Sequence, residues 1–354
     1  MSYKTVNVGA VTVGGAFPIS IQSMCSVPFS RYGELVLQAK ELEEAGCEIL
    51  RVSVPDSESA ELFAKLKKEL KIPLVADIHF DYRLAIKAIE YGADKIRINP
   101  GNIGKDNIKT VVKKAKERHI PIRVGINSGS LEKTVLEKYG SPLPEALAES
   151  AMNNVELLEN LDFGDIIVSI KSSDVKKTVQ SYRIFDSMNK ERYPLHIGVT
   201  EAGTLTSGLI KNSAGIGALL LDGIGSTIRY SLSAPPVEEV IAAKTLLRSL
   251  GLRNEGAEII ACPTCGRTTI DVSGLAGELE KRLSGIKKHM KVAVMGCVVN
   301  GPGEAAEADI GVTGANGKYV VFAKENGKVS VVLKDADKQT ATDYIINAAE
   351  GLRR

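Results

Sequence analysis

Over its first 250 residues the chain alternates short apolar runs with longer stretches whose apolar positions recur every three or four residues. The short runs predict strands at residues 19–24, 49–54, 74–79, 95–99, 122–127, 166–171, 195–200 and 226–232. The longer stretches predict helices at 34–46, 56–70, 81–91, 107–118, 145–161, 174–190 and 209–221, and Pro236 opens a last helix that Gly251 closes. Strands alternating with helices give a parallel sheet. Eight such units in about 235 residues predict a closed α/β barrel of the (β/α)8 TIM type. An open doubly wound sheet would call for a glycine-rich turn after the first strand, and none is present. Ahead of the barrel, residues 6–13 read as a small hairpin turned at Gly9 and Ala10.

Polar residues 249–257, with Arg253, Asn254 and Gly256, mark a boundary, so the expected domains are 1–250 and 257–354. The second reads as a compact α/β unit with strands at 259–261, 292–295, 319–323 and 329–333 and helices at 275–283 and 337–352. Glu325-Asn326-Gly327-Lys328 supplies a hairpin turn between its last two strands. Apolar residues at 44% and charged residues at 25% are those of an ordinary globular protein. A net charge of +2 argues for neither a nucleic-acid nor a membrane partner, so any anion site must be a local cluster. No basic segment followed by an apolar run opens the chain, and no stretch nears the roughly 20 apolar residues that span a bilayer. The expected location is the cytoplasm.

Function in such a barrel sits at the C-terminal strand ends. Those ends carry Arg51 and Ser53, Asp77 and His79, Arg97 and Asn99, Arg123 and Asn127, Lys171, Thr200 and Glu201, and Arg229. Pairs two residues apart point to one side of a strand. Four arginines and a lysine converging on one face suit a polyanion, and the guanidinium fork suits phosphate. The alternative is internal salt bridging with Asp77, Glu201 and helix-end carboxylates, but the two acids in the set are too few for five bases. His79 reads as a substrate contact rather than a metal ligand, and Glu201 is the best placed proton donor in the barrel.

The five cysteines are not spaced as a disulfide framework. Cys262-Pro263-Thr264-Cys265-Gly266 makes a two-thiolate clamp after a strand, and Cys297 follows another strand. The clamp alone also fits a zinc knuckle. A second knuckle is missing, and three thiolates with a fourth ligand of another kind suit an iron–sulfur cluster that does substrate chemistry. Zinc stays open at this point. Cys47, at a helix–strand junction, and Cys25, after the first barrel strand, read as structural.

These residues resemble the 4-hydroxy-3-methylbut-2-enyl diphosphate synthases of the bacterial two-domain type, over essentially the whole chain. The resemblance is carried by Leu50-Arg51-Val52-Ser53-Val54-Pro55, Val75-Ala76-Asp77-Ile78-His79-Phe80, Arg97-Ile98-Asn99-Pro100-Gly101-Asn102, Val199-Thr200-Glu201-Ala202-Gly203, the Cys262 and Cys265 clamp, and Gly296-Cys297-Val298-Val299-Asn300-Gly301-Pro302-Gly303-Glu304. It implies a C-terminal α+β iron–sulfur domain, sulfite/nitrite reductase-like, with one 4Fe-4S cluster per chain on Cys262, Cys265, Cys297 and the carboxylate of Glu304. It implies reductive ring opening of 2-C-methyl-D-erythritol 2,4-cyclodiphosphate in the non-mevalonate isoprenoid route, with electrons from a flavodoxin or ferredoxin. The diphosphate would lie on Arg51, Arg97, Arg123, Lys171 and Arg229, with Asn127 and His79 nearby and Glu201 assisting protonation. A homodimer is implied, the cluster domain of one subunit facing the barrel of the other. Where the family usually reads Ser-Met-Thr-Asn-Thr, this chain has Ser23-Met24-Cys25-Ser26-Val27, so that loop's contacts are not carried over. The rival reading is a redox-inactive phosphate-handling lyase or transferase similar to dihydropteroate synthase, with a zinc-stapled second domain.

Overall fold

The computed structural model describes residues 2–286, 288–299, 307–325 and 327–351. They divide into two compact units, 1–250 and 251–354. The first opens with an antiparallel hairpin, β1 (Val6–Val8) and β2 (Val11–Val13). Eight parallel strands follow: β3 (Ser20–Met24), β4 (Ile49–Ser53), β5 (Leu74–Asp77), β6 (Lys95–Ile98), β7 (Ile122–Asn127), β8 (Ile166–Lys171), β9 (His196–Ile197) and β10 (Thr227–Ile228). They pair in the order β8-β7-β6-β5-β4-β3-β10-β9. A parallel bridge between Val168 and Leu195 brings the two ends of that order together, so the sheet curls into the predicted barrel.

The helices of this unit are α1 (Tyr32–Ala45), α2 (Ser57–Glu69), α3 (Tyr82–Glu90), α4 (Pro100–Ile103), α5 (Lys105–Arg118), α6 (Lys133–Tyr139), α7 (Pro144–Glu159), α8 (Val175–Met188), α9 (Leu205–Leu221) and α10 (Pro236–Ser249). Several start where an aspartate closes the strand-to-helix loop. Asp56, Asp81 and Asp174 each accept a backbone N–H of the first turn, satisfying a donor the helix itself cannot. Apolar helix faces such as Leu35, Ala39 and Leu42 pack on the outward residues of the strands in one continuous core.

Inside the barrel the alternation of each strand sets what faces the axis. Ile49, Val75 and Ile167 pack with Val6, Val8 and Val13 of the hairpin, so the hairpin plugs the N-terminal end. Two residues further along the same strands come Arg51, Asp77 and Ser169. Register carries that face across the sheet, with Asp77 opposite Arg97, Arg97 opposite Arg123, and Ser20 opposite Thr227, itself opposite His196.

The second unit is a five-stranded sheet in the order β11-β12-β13-β14-β15. Its strands are β11 (Ala257–Ala261), β12 (Met290–Met295), β13 (Ile310–Ala315), β14 (Lys318–Glu325) and β15 (Lys328–Ala336). The first three are parallel and the last two pairings antiparallel. Helices α11 (Val272–Arg282) and α12 (Lys338–Gly351) bury Leu275, Leu279 and Ile345 against one face. Sequence reading missed α6 and β13 and drew β9 and β10 too long. No helix among the described residues is long and apolar enough to cross a membrane.

Candidate active site

The barrel's C-terminal end gathers the expected side chains. Asp77, 4% exposed, lies 3.9 Å from Arg51 Nε, 3.4 Å from Arg97 Nη1 and 3.4 Å from His79 Nε2. Burial alone would raise its carboxyl pKa, but Arg51, the His79 hydrogen bond, Arg97 and Arg123 outweigh it and hold the group well below the usual carboxylate range. Arg51 also donates from Nε and Nη2 to Met24 Sδ, at 3.0 and 2.7 Å, a weak acceptor for so strong a donor. Burial pushes the Arg51 guanidinium down to about 10 despite Asp77.

Arg97 donates to the Gly125 carbonyl at 3.2 Å and, with the Asn127 amide turned so that its oxygen faces the guanidinium, to Asn127 at 3.1 Å. Gly125 leaves the space for this: a Cβ there would stand 2.4 Å from Arg97 Nε. Arg123 is 1% exposed, and among the described residues its Nε and Nη1 have no hydrogen-bond partner. Burial, then Arg51 and Arg97, push its guanidinium well below its ordinary range. Such a charge is costly unless an anion meets it. Lys171, 6% exposed, lies 3.3 Å from His196 Nε2. His79 is half-exposed. Glu201 is exposed, and its φ of 51° falls in the left-handed region, where a residue with a Cβ is strained.

Arg229 has an internal partner. Its Nε and Nη2 reach the two carboxylate oxygens of Glu239 at 3.2 and 3.1 Å, and Glu239 also accepts from Ser23 Oγ at 2.9 Å. This is the internal salt bridging weighed above, which Asp77 also gives Arg51 and Arg97. The acid comes from α10 and sits 2% exposed inside the fold. Sequence reasoning passed over it because a glutamate in the first turn of an amphipathic helix reads as a surface residue. It also passed over Lys95, fully buried with Nζ 3.2 Å from Gln22 Oε1, and fully buried His196. Both were signalled by spacing, Lys95 two before Arg97 and His196 on the inward face of its strand.

In the second unit, Cys262 follows β11 and Cys297 follows β12, its parallel neighbour. The two strand ends are drawn together where Cys262 Sγ accepts the Gly296 N–H at 3.1 Å. Gly296 is closely approached: a Cβ there would meet the Thr268 side chain at 2.8 Å. Cys265 is exposed, and the Arg267 backbone N–H holds its thiol below the ordinary range. All three cysteines are free, and soft thiolates with N–H donors aimed at sulfur fit an iron–sulfur group. Among the described residues no three His, Cys, Asp or Glu side chains converge on a single metal-ion position. Glu304, the expected fourth ligand, lies outside the described residues, as do Asn300, Gly301, Pro302 and Gly303 of its motif. Cys25 and Cys47 are buried and their thiols pushed up to about 12, chiefly by that burial, as structural cysteines are.

Two family models match, the GcpE TIM-barrel domain over residues 3–244 and the GcpE protein C-terminal domain over 258–350. The chain belongs to the GcpE family. Among its relatives, "4-hydroxy-3-methylbut-2-en-1-yl diphosphate synthase (flavodoxin)" of Caldanaerobacter subterraneus subsp. tengcongensis is 57% identical, over 94% of this chain and 93% of that one. The protein of the same name from Clostridium perfringens is 54% identical, over 94% and 95%. Among solved structures, a dihydropteroate synthetase aligns with a TM-score of 0.51 at 10% identity, over 71% of this chain and 100% of that one. The enzyme from Stenotrophomonas maltophilia aligns at 0.50, also at 10% identity, over 70% and 98%. Those two likenesses show a shared barrel fold alone.

Proposed function

We propose that this GcpE-family chain reduces 2-C-methyl-D-erythritol 2,4-cyclodiphosphate to 4-hydroxy-3-methylbut-2-enyl diphosphate with two electrons from a flavodoxin. The observation that carries the reading is Arg123, buried with two unsatisfied guanidinium donors beside Arg51, Arg97 and Lys171. Those donors call for an acceptor-rich anion, and a diphosphate supplies one. Cys262, Cys265, Cys297 and Glu304 would hold one 4Fe-4S cluster per chain. When bound, that cluster delivers the electrons singly. Thiols that stay free suit a reducing cytoplasm.

The chain's own residues then have separable tasks. Arg51, Arg97, Arg123 and Lys171 grip the diphosphate and stabilise the oxyanion that forms as the ring C–O bond breaks. Asp77 keeps Arg51 and Arg97 aimed. Glu201 gives the proton with which the neighbouring hydroxyl leaves as water, so two electrons and one proton balance the step. Arg229 acts from behind, bound to Glu239. In a homodimer the cluster domain of one subunit serves the barrel of the other.

Anaerobic turnover of the cyclodiphosphate with reduced flavodoxin tests the reading directly. Glu201→Gln is expected to lower kcat about 100-fold or more while leaving the visible absorbance of the cluster intact. Full turnover by that variant removes Glu201 from the proton step. Absence of any turnover by the iron-loaded wild type removes the reading.

A further inference from the structure

Lys171 is placed by a neighbour that no motif singles out. Its amine is buried at the end of β8, and among the described residues its hydrogen-bond partner is His196 Nε2, 3.3 Å away on β9. When Lys171 carries its charge it can only donate, so Nε2 is then the acceptor nitrogen and the imidazole proton sits on Nδ1. Nδ1 faces Thr227 Oγ1 at 3.5 Å. That contact follows from register, because Thr227 of β10 lies directly opposite His196.

The imidazole is also held from behind. The buried Tyr182 hydroxyl donates to the His196 carbonyl at 2.6 Å and accepts the Ile170 N–H at 2.9 Å. One phenol thus ties the backbone of His196 to the residue just before Lys171. Two positions beyond His196, Gly198 leaves the amine its room: a Cβ there would stand 3.2 Å from Lys171 Nζ. Burial, then Arg123, Arg229 and Arg51, push the amine well below its ordinary range, and Glu239 works the other way. A neutral acceptor within hydrogen-bond reach therefore matters to where the ammonium points and whether it stays charged.

We propose that His196 is a positioning residue for the anion site, its Nδ1–H facing Thr227 Oγ1 and its Nε2 orienting the Lys171 ammonium toward the bound diphosphate. The inference rests on the reading of the barrel mouth as a diphosphate site. It assigns His196 no contact with the substrate.

The test is a double-mutant cycle on the anaerobically loaded protein, with the affinity for the cyclodiphosphate measured by calorimetry. His196→Leu is expected to weaken binding about 10-fold, and His196→Gln, whose amide oxygen can stand where Nε2 stood, to recover to within about 3-fold of wild type. Lys171→Met weakens binding more, and adding His196→Leu to it should cost nothing further. Thr227→Val, a change small enough to keep the fold, should weaken binding about 3-fold in the wild type and not at all in the Lys171→Met background. If either change at His196 or Thr227 weakens the Lys171→Met protein as much as the wild type, His196 does not act through Lys171 and the inference is wrong. Should Lys171→Met bind as the wild type does, the diphosphate site itself is misread, and the inference goes with it.

Discussion

The barrel mouth and the cysteine loops hold their functional groups in opposite ways. At the mouth most of the charged side chains stand on or just past paired strands, are largely buried and are held by buried partners: Asp77 between Arg51 and Arg97, Arg229 on Glu239, Lys171 on His196. The cysteines stand just past strand ends, and Cys265 is exposed. Strand ends fix direction at the cost of burying charge, which suits a rigid cradle for a fixed anion. Loops beyond strand ends fix direction only loosely, which suits thiolates whose final geometry a metal group imposes. The barrel should therefore be organised without its ligand, and the second unit should depend on one.

Breaking a thiolate gives the largest expected effect. Cys265→Ala should abolish iron retention and turnover and lower the melting temperature of the second unit, while the barrel's transition stays where it was. Differential scanning calorimetry of the iron-loaded protein reads both, and a barrel transition that moved as far would erase the contrast. Next comes Arg123→Met. Losing two charge-assisted hydrogen bonds should weaken cyclodiphosphate binding about 100-fold. Exchanging a buried unpaired charge for an apolar chain should leave the barrel unchanged or more stable by about 1–4 kcal/mol. Weaker binding together with a lower melting point would mean that the guanidinium serves the fold instead.

Gly125→Ala is subtler. The added methyl group collides with Arg97 and must turn it from Asn127, so binding should fall about 10-fold with the melting point little changed. Asp77 provides the smallest effect, through pH. Its folded pKa is depressed, so its stabilising contribution is complete above the unfolded value of roughly 4 and fades as pH drops below it. The stability difference between wild type and Asp77→Asn should accordingly be constant from pH 7 to 5 and shrink toward pH 3. A difference that grew on acidification would mean that the arginines do not hold the carboxylate charged.

Much of this was legible in the sequence, for physical reasons that can be named. Strands β7 and β8 coincide with their apolar runs, because both are buried on each face and nothing polar blurs the pattern until the mouth. The strands β9 and β10 pair over two residues each, since the chain leaves the sheet early to carry Gly198 and Arg229 past one another: a Cβ on Gly198 would lie 2.3 Å from the Arg229 carbonyl oxygen. Glycines at 311 and 314 made β13 look like a loop, whereas they admit the Phe322 ring and the Gly296 carbonyl. The arginine cluster was visible because charge at a strand end is so costly. The counter-charge of Arg229 was not, because Glu239 arrives from a helix more than 150 residues beyond Asp77. Pairings set only by tertiary closure leave no local signal, and the Lys171–His196 contact is of the same kind.

The central proposal is that the barrel binds a diphosphate and the second unit holds an iron–sulfur cluster. Its most direct test is the low-temperature electron paramagnetic resonance spectrum of the anaerobically purified, reduced protein, with and without 2-C-methyl-D-erythritol 2,4-cyclodiphosphate. The account predicts an iron–sulfur signal that changes when the cyclodiphosphate is added and does not change in Arg123→Met at the same concentration. A colourless protein with one zinc per chain, or a wild-type signal indifferent to the cyclodiphosphate, would contradict it.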